Sequence, residues 1–225
     1  MGTYYKNVES WIDKIDRGDW IELGVDRGEG STQWLCNMAK TRATKFYGVD
    51  MDPQQIDRAW VNLATSREAM IAADGSITMC PGDLEPHVDL VLAKGEDFLN
   101  QYSKHLPTPK VSLVYLDNFD WDYWLGGQEE LFVAGIKQRY LDIAQVEMNN
   151  MNSQLTHLHQ AMLVLPLMTA NSVIICDDTW VMPHEGILSG KCSAVVPFLL
   201  MHGFRILHSA GYRQNSGLIL GRFTI

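Results

Sequence analysis

Ile21-Glu22-Leu23-Gly24-Val25-Asp26-Arg27-Gly28-Glu29-Gly30-Ser31-Thr32 is the stretch that decides the fold. The apolar run from Trp20 to Val25 reads as a strand. The glycine-rich segment Asp26 to Gly30 closes it, and Ser31 caps a helix that carries Trp34, Leu35 and Met38 inward. Glycines at 24, 28 and 30 let backbone pass close to a ligand, and the helix start offers free N–H groups. A dinucleotide fingerprint would read GxGxxG and cradle a pyrophosphate. Here the spacing is GxxxGxG, with Glu22 two residues before the first glycine. A carboxylate at that place repels a pyrophosphate and suits the ammonium of a bound amino acid.

Outward from this turn, apolar β-rich runs alternate with helical patterns. A short entry helix over 8–16 precedes it, with Trp11, Ile12 and Ile15 on one side. Further strands are expected over 45–49, 88–93, 110–116 and 172–176, and a closing pair over 204–209 and 217–223. Helices are expected from Pro53, after residue 95, over 128–150, over 153–165 and over 193–201. Residues 74–86 carry Asp-Gly and Pro-Gly turn signals, with a short strand available at 77–80. Such alternation means an α/β fold, a doubly wound, mostly parallel sheet with right-handed crossovers. The short final connection makes the last two strands an antiparallel hairpin. The expectation is one domain over 1–225, with a helical insertion at about 121–150. That long helix is able either to cover the site or to build a homodimer.

Composition narrows the function classes. Lys and Arg total 18 against 27 Asp and Glu, a formal charge of −9, which disfavours nucleic acid and anionic membranes as partners. The four cysteines, Cys36, Cys80, Cys176 and Cys192, form no CxxC pair, which argues against a zinc site and for a reduced, cytoplasmic chain. No apolar run reaches membrane-spanning length, and the N-terminus lacks a signal-peptide core.

The other strand ends are acidic. The second runs into Gly48-Val49-Asp50-Met51-Asp52-Pro53, where Asp50 is placed to accept both hydroxyls of a ribose. The third leads to Gly95-Glu96-Asp97-Phe98-Leu99, where Glu96 or nearby backbone can meet an adenine ring. The fourth ends in Asp117-Asn118-Phe119-Asp120-Trp121-Asp122 and the fifth in Asp177-Asp178-Thr179-Trp180. In a doubly wound sheet these ends share one crevice. Asp117, Asp177 and Asp178 would repel one another there unless compensated, and a hard divalent cation such as Mg²⁺ is the expected compensation.

On these motifs the chain resembles class I S-adenosylmethionine-dependent methyltransferases: 21–32 their first motif, 48–53 their ribose loop, 95–99 their adenine-side loop. The resemblance covers nearly the whole chain apart from 74–87 and 121–150. It implies a Rossmann-like sheet of order 3-2-1-4-5-7-6. It also implies an S-adenosylmethionine site formed by Glu22, Gly24, Gly28, Gly30, Ser31, Thr32, Asp50, Glu96 and Asp117. The acid pair resembles the metal-dependent O-methyltransferases of the catechol type and, more closely, of the macrolide and aminocoumarin sugar type. Gly190-Lys191, then Ala194, Val195 and Phe198, resembles the helix after the acid pair in the latter group. The activity implied by this resemblance is divalent-metal-assisted methylation of a hydroxyl on a small molecule. Asp120 stands where the catechol enzyme carries its proton-accepting lysine, and is the expected base, with Asp122 and His184 as alternatives.

Two other classes compete. A nicotinamide-dependent oxidoreductase is opposed by the absent GxGxxG and by Glu22. A non-catalytic cofactor-binding protein of this fold would be expected to lose the acid pair, which is present. His157 and His159, at i and i+2 on a helix, face apart and read as surface or packing residues.

Overall fold

The computed structural model describes residues 3–64, 67–71, 77–81, 84–104, 110–122, 129–182, 186–211 and 216–224. A 3-10 helix, Tyr4–Lys14, comes first, starting earlier than the expected entry helix. It is followed by β1 (Asp19–Leu23), α1 (Ser31–Thr41), β2 (Phe46–Asp50), α2 (Pro53–Leu63), β3 (Arg67–Ile71), β4 (Ile77–Pro81), β5 (Val88–Leu92), α3 (Gly95–Lys104) and β6 (Val111–Leu116). The second half holds α4 (Glu129–Ala144), α5 (Asn150–Val164), β7 (Met168–Asp177), β8 (Thr179–Val181), β9 (Leu188–Gly190), α6 (Val195–Met201), β10 (Arg205–Ala210) and β11 (Gly217–Arg222).

Seven strands form the main sheet in the order β5-β2-β1-β6-β7-β11-β10. Counted within that sheet alone, this is the expected 3-2-1-4-5-7-6. The strands from β5 to β7 run parallel, and β11 lies antiparallel to both β7 and β10. Every residue of β1 and β6 is buried, as central strands covered on both faces require.

The period-2 alternation of the strands sorts side chains onto two cores. Ile21, Leu23, Val114, Leu116, Ile174 and Cys176 pack against Ala161 and Val164 of α5 and Leu199 of α6. Trp20, Leu113, Tyr115, Val173 and Ile175 face the other way, onto Val8 of the 3-10 helix and Leu35 and Ala39 of α1. A fully buried leucine at such a position contributes about 2 kcal/mol by burial alone. The sheet therefore holds its strand ends rigidly.

Three local differences from expectation have physical causes. The helix expected over 128–150 ends at Ala144. Gln145 turns to φ 56°, and the Asn149 side chain accepts from Asn152 N at 2.8 Å, starting α5 afresh as a separate helix. Residues 77–81 do form a strand, and its partner β3 falls in a stretch to which the sequence alone assigns no element, with Glu68 opposite Cys80. A small hairpin, β8 with β9, comes directly after β7. Among the described residues, no helix is long and apolar enough to cross a membrane.

Candidate functional site

The carboxyl ends of β1, β2, β6 and β7 open into a cleft of about 820 Å³, at the point where strand order reverses. Gly24, Asp50 and Asp52 line one end of it, and Asp117, Asp120, Asp177, Asp178 and Lys191 the other. Arg139, Tyr140 and Ile143 of α4 complete the wall. Of the residues singled out in the sequence, the sheet thus brings Gly24, Asp50, Asp117, Asp120, Asp177 and Asp178 to one cleft, while Glu22, Gly28, Gly30, Ser31, Thr32 and Glu96 are not among its lining.

At the first end, Glu22 is fully buried within β1. Ser31 Oγ donates to its Oε1 at 2.8 Å, while Oε2 has no hydrogen-bond partner among the described residues. Burial pushes its carboxyl up to about 8, against the lowering influence of the neighbouring Thr32 and Ser31. Ser31 therefore serves Glu22 and not the helix cap, a place taken by Gly30. Thr32 is buried, its hydroxyl donating to Val25 O at 3.2 Å. Gly28 owes its identity to packing: a Cβ there would lie 2.6 Å from Ala59 Cα of α2. Asp50 accepts from Asp52 N at 2.9 Å, and burial raises its carboxyl to about 6 despite the backbone N–H groups around it. Glu96 sits in the first turn of α3, outside the residues lining the cleft.

An unpartnered, buried carboxylate oxygen beside the glycine turn fits the ammonium of an amino-acid-like cofactor. Asp50, at the end of β2, is placed to meet a ribose.

At the other end lie the three acids expected as metal ligands. Asp117, Asp177 and Asp178 do converge, but around the ammonium of Lys191, whose Nζ lies 2.5, 3.9 and 3.3 Å from their carboxylate oxygens respectively. Among the described residues no group of three or more His, Cys, Asp or Glu is arranged to hold a metal ion. The donor set does not fit a divalent cation, because its centre already carries a charge. Burial works against the Lys191 charge, yet Asp117, Asp178, Asp177 and Asp120 outweigh it and hold its pKa well above the ordinary value. Burial and the Asp177 charge push the Asp117 carboxyl well up, with Lys191 opposing. One ammonium cannot neutralise three carboxylates, so the cluster favours a charged lysine while pushing the Asp117 carboxyl up.

Lys191 reaches the acids through the β8–β9 hairpin, which pairs Thr179 with Gly190 and lets Lys191 N donate to Asp178 O at 3.0 Å. Asp177 is further tied to the amino-terminal segment. Its Oδ1 accepts from Tyr115 Oη at 2.9 Å and from Tyr4 Oη. Sequence reasoning assigns neither Lys191 nor Tyr4 to the site. Gly190-Lys191 is visible as a motif, whereas nothing local marks Tyr4.

Of the candidate bases, Asp120 lines the cleft, and Tyr140 Oη lies 3.3 Å from its Oδ2 and 3.0 Å from its backbone N. Asp122 instead pairs with Lys137 at 2.7 Å and is bonded to Asn150 of α5. His184 lies outside the described residues. Trp121 meets Trp180 edge to face at 6.2 Å beside the acid pair. His157 is fully buried, its Nδ1 paired with Ser153 O at 2.7 Å, while His159 is exposed.

No family model matches the sequence, and no curated protein compared with it matches. Solved structures do match in shape. An O-methyltransferase from Bacillus cereus in complex with SAH matches with a TM-score of 0.53 at 13% identity, over 99% of this chain and 80% of that chain. An rRNA methylase from Streptococcus thermophilus matches with a TM-score of 0.51 at 9% identity, over 100% of this chain and 98% of that chain. At these identities the likeness concerns the fold: the chain carries the Rossmann-like sheet of the methyltransferases.

Proposed function

We propose that the chain is an S-adenosylmethionine-dependent methyltransferase acting on a hydroxyl oxygen of a small molecule. The observation that carries this reading is one cleft holding two different ends. One offers Gly24 and Asp50, next to the buried Glu22 of β1, and the other offers Asp117, Asp177 and Asp178 around the buried Lys191, with Asp120 at its side. S-adenosylmethionine supplies a methyl group on a sulfonium. The chain's residues do the rest: Glu22 holds the ammonium, Asp50 the ribose hydroxyls, and Asp120 takes the proton of the acceptor hydroxyl.

A nicotinamide cofactor fits less well, because the buried Glu22 carboxylate stands behind the turn that would cradle a pyrophosphate. A net charge of −9 disfavours an RNA acceptor. A non-catalytic binding protein would gain nothing from three half-buried carboxylates crowded at one point, an arrangement whose mutual repulsion costs folding energy.

Titration calorimetry with S-adenosylmethionine and, in parallel, NAD tests the reading. S-adenosylmethionine alone should bind. Asp50→Ala should cost on the order of 1.5–3 kcal/mol of that affinity, the worth of bidentate bonds to a charged acceptor. Unchanged affinity in the variant, or preferential binding of NAD, would overturn it.

A further inference from the structure

Three carboxylates in one cleft demand compensation, and the buried cation among them is part of the chain. We propose that the Lys191 ammonium permanently occupies the point where a divalent ion would have to sit, so that this site takes no divalent metal and offers a fixed side-chain cation to the acceptor oxygen. The identity of that acceptor rests on the methyltransferase reading; the exclusion of metal does not.

Three observations carry it. A hard divalent ion needs carboxylate oxygens at roughly 2.0–2.6 Å from a common centre. That centre is held by Nζ, which has Asp117 Oδ1 at 2.5 Å and Asp178 Oδ2 at 3.3 Å. Two cations cannot share it.

Lys191 is also fixed in place. Its side chain is only 4% exposed. The preceding Gly190 has φ 99°, a conformation open to glycine, and a Cβ there would collide with Asp178 O. On the other side, Cys192 N donates to Thr179 Oγ1 at 3.0 Å. Backbone on both sides of the lysine is therefore locked to the strand that carries the acid pair.

Finally, Asp177 is already in use. Its Oδ1 accepts two phenolic hydroxyls, from Tyr115 and Tyr4, both in buried residues. An acid expected as a metal ligand has one oxygen committed to the protein.

The test is direct metal binding by the full chain, read by electron paramagnetic resonance and calorimetry with MnCl₂. The wild-type protein should bind no Mn²⁺ up to millimolar concentrations. Lys191→Met should gain a micromolar Mn²⁺ site and a Mn²⁺-dependent rise in melting temperature, both removed by adding Asp177→Asn. Lys191→Gln serves the same purpose should the methionine variant not fold. Micromolar Mn²⁺ binding by the wild type that Asp177→Asn abolishes would overturn the proposal. So would a folded Lys191 variant that gains no site. S-adenosylmethionine affinity, measured on the same samples, reports separately: its absence would sink the methyltransferase reading and leave the metal result standing.

Discussion

Arg139 of α4 forms an ion pair with Asp52, the residue that caps α2, across 87 positions of sequence. At the end of the same helix, Lys94 Nζ donates to Ala144 O at 2.9 Å. Between these ties, Tyr140 and Ile143 line the cleft, so α4 is pinned against its mouth from two sides. The Arg139 side chain is 43% exposed, which limits the stability it contributes to about 1 kcal/mol or less. Its effect should therefore be kinetic. Arg139→Ala should leave the melting temperature nearly unchanged while speeding S-adenosylhomocysteine release several-fold in stopped-flow displacement. An unaltered release rate would mean that α4 does not gate the cleft.

Glu22 gives the cofactor site a pH signature. Burial holds its carboxyl neutral up to about 8, whereas a bound ammonium favours the carboxylate. Cofactor binding at pH 7 should then release a proton from Glu22. Calorimetry in buffers of different ionisation heat measures that release, and Glu22→Gln should abolish it and weaken binding. The raised pKa sets the sign for stability. The contribution of the neutral carboxyl is complete below the unfolded value near 4.5 and is lost as pH rises through about 8. Bound cofactor should blunt that loss, since it pairs the charge. A free protein whose stability is flat over this window would remove Glu22 from the account.

His157 acts in the opposite direction. Burial and the nearby Lys191 charge lower its pKa to about 4, from an ordinary value near 6.5. A depressed histidine contributes stability above its unfolded pKa and loses it as pH falls toward the folded one. Between about pH 6.5 and 4 this single group should cost on the order of 3 kcal/mol. Denaturant titrations of wild type and His157→Gln across that range should show a steeper fall for the wild type. Parallel pH profiles would mean that the imidazole charges without penalty.

The strand–glycine–helix pattern of 20–32 and the acidic strand ends are enough to read an α/β fold and the edge where the cleft opens, because hydrophobic period and turn residues are local signals, while the sheet order follows only from the resemblance they carry. The demand for a positive charge among Asp117, Asp177 and Asp178 is legible in the sequence too. Its source is not, since Lys191 arrives by a hairpin whose short strands carry little pattern of their own. Tyr4 meets Asp177 across 173 residues, a contact that only the completed fold creates. The break between α4 and α5 is legible, but it falls earlier than expected, after Ala144, because the Asn149 cap starts α5 at Asn150. The histidines behave as their spacing implies, one packed and one exposed.

The final prediction concerns the base. For methyl transfer to oxygen, the acceptor hydroxyl must lose its proton at or before attack, and the group that takes it must lie within hydrogen-bond reach. Asp120 meets the geometric part of this requirement. It lines the cleft beside the cluster, and Tyr140 holds its backbone N at 3.0 Å. The Lys191 ammonium, which lines the same cleft, favours the developing alkoxide. Asp122 is the weaker candidate, because Lys137 and Asn150 already engage it. Asp120→Asn should lower kcat by about 10²–10⁴-fold, measured on a hydroxyl compound that a catechol and sugar panel shows to be methylated. S-adenosylmethionine affinity should stay near native in the same variant, which separates loss of a base from loss of the site. Near-native turnover in Asp120→Asn, with the loss appearing in Asp122→Asn or His184→Gln instead, would move the role to that residue.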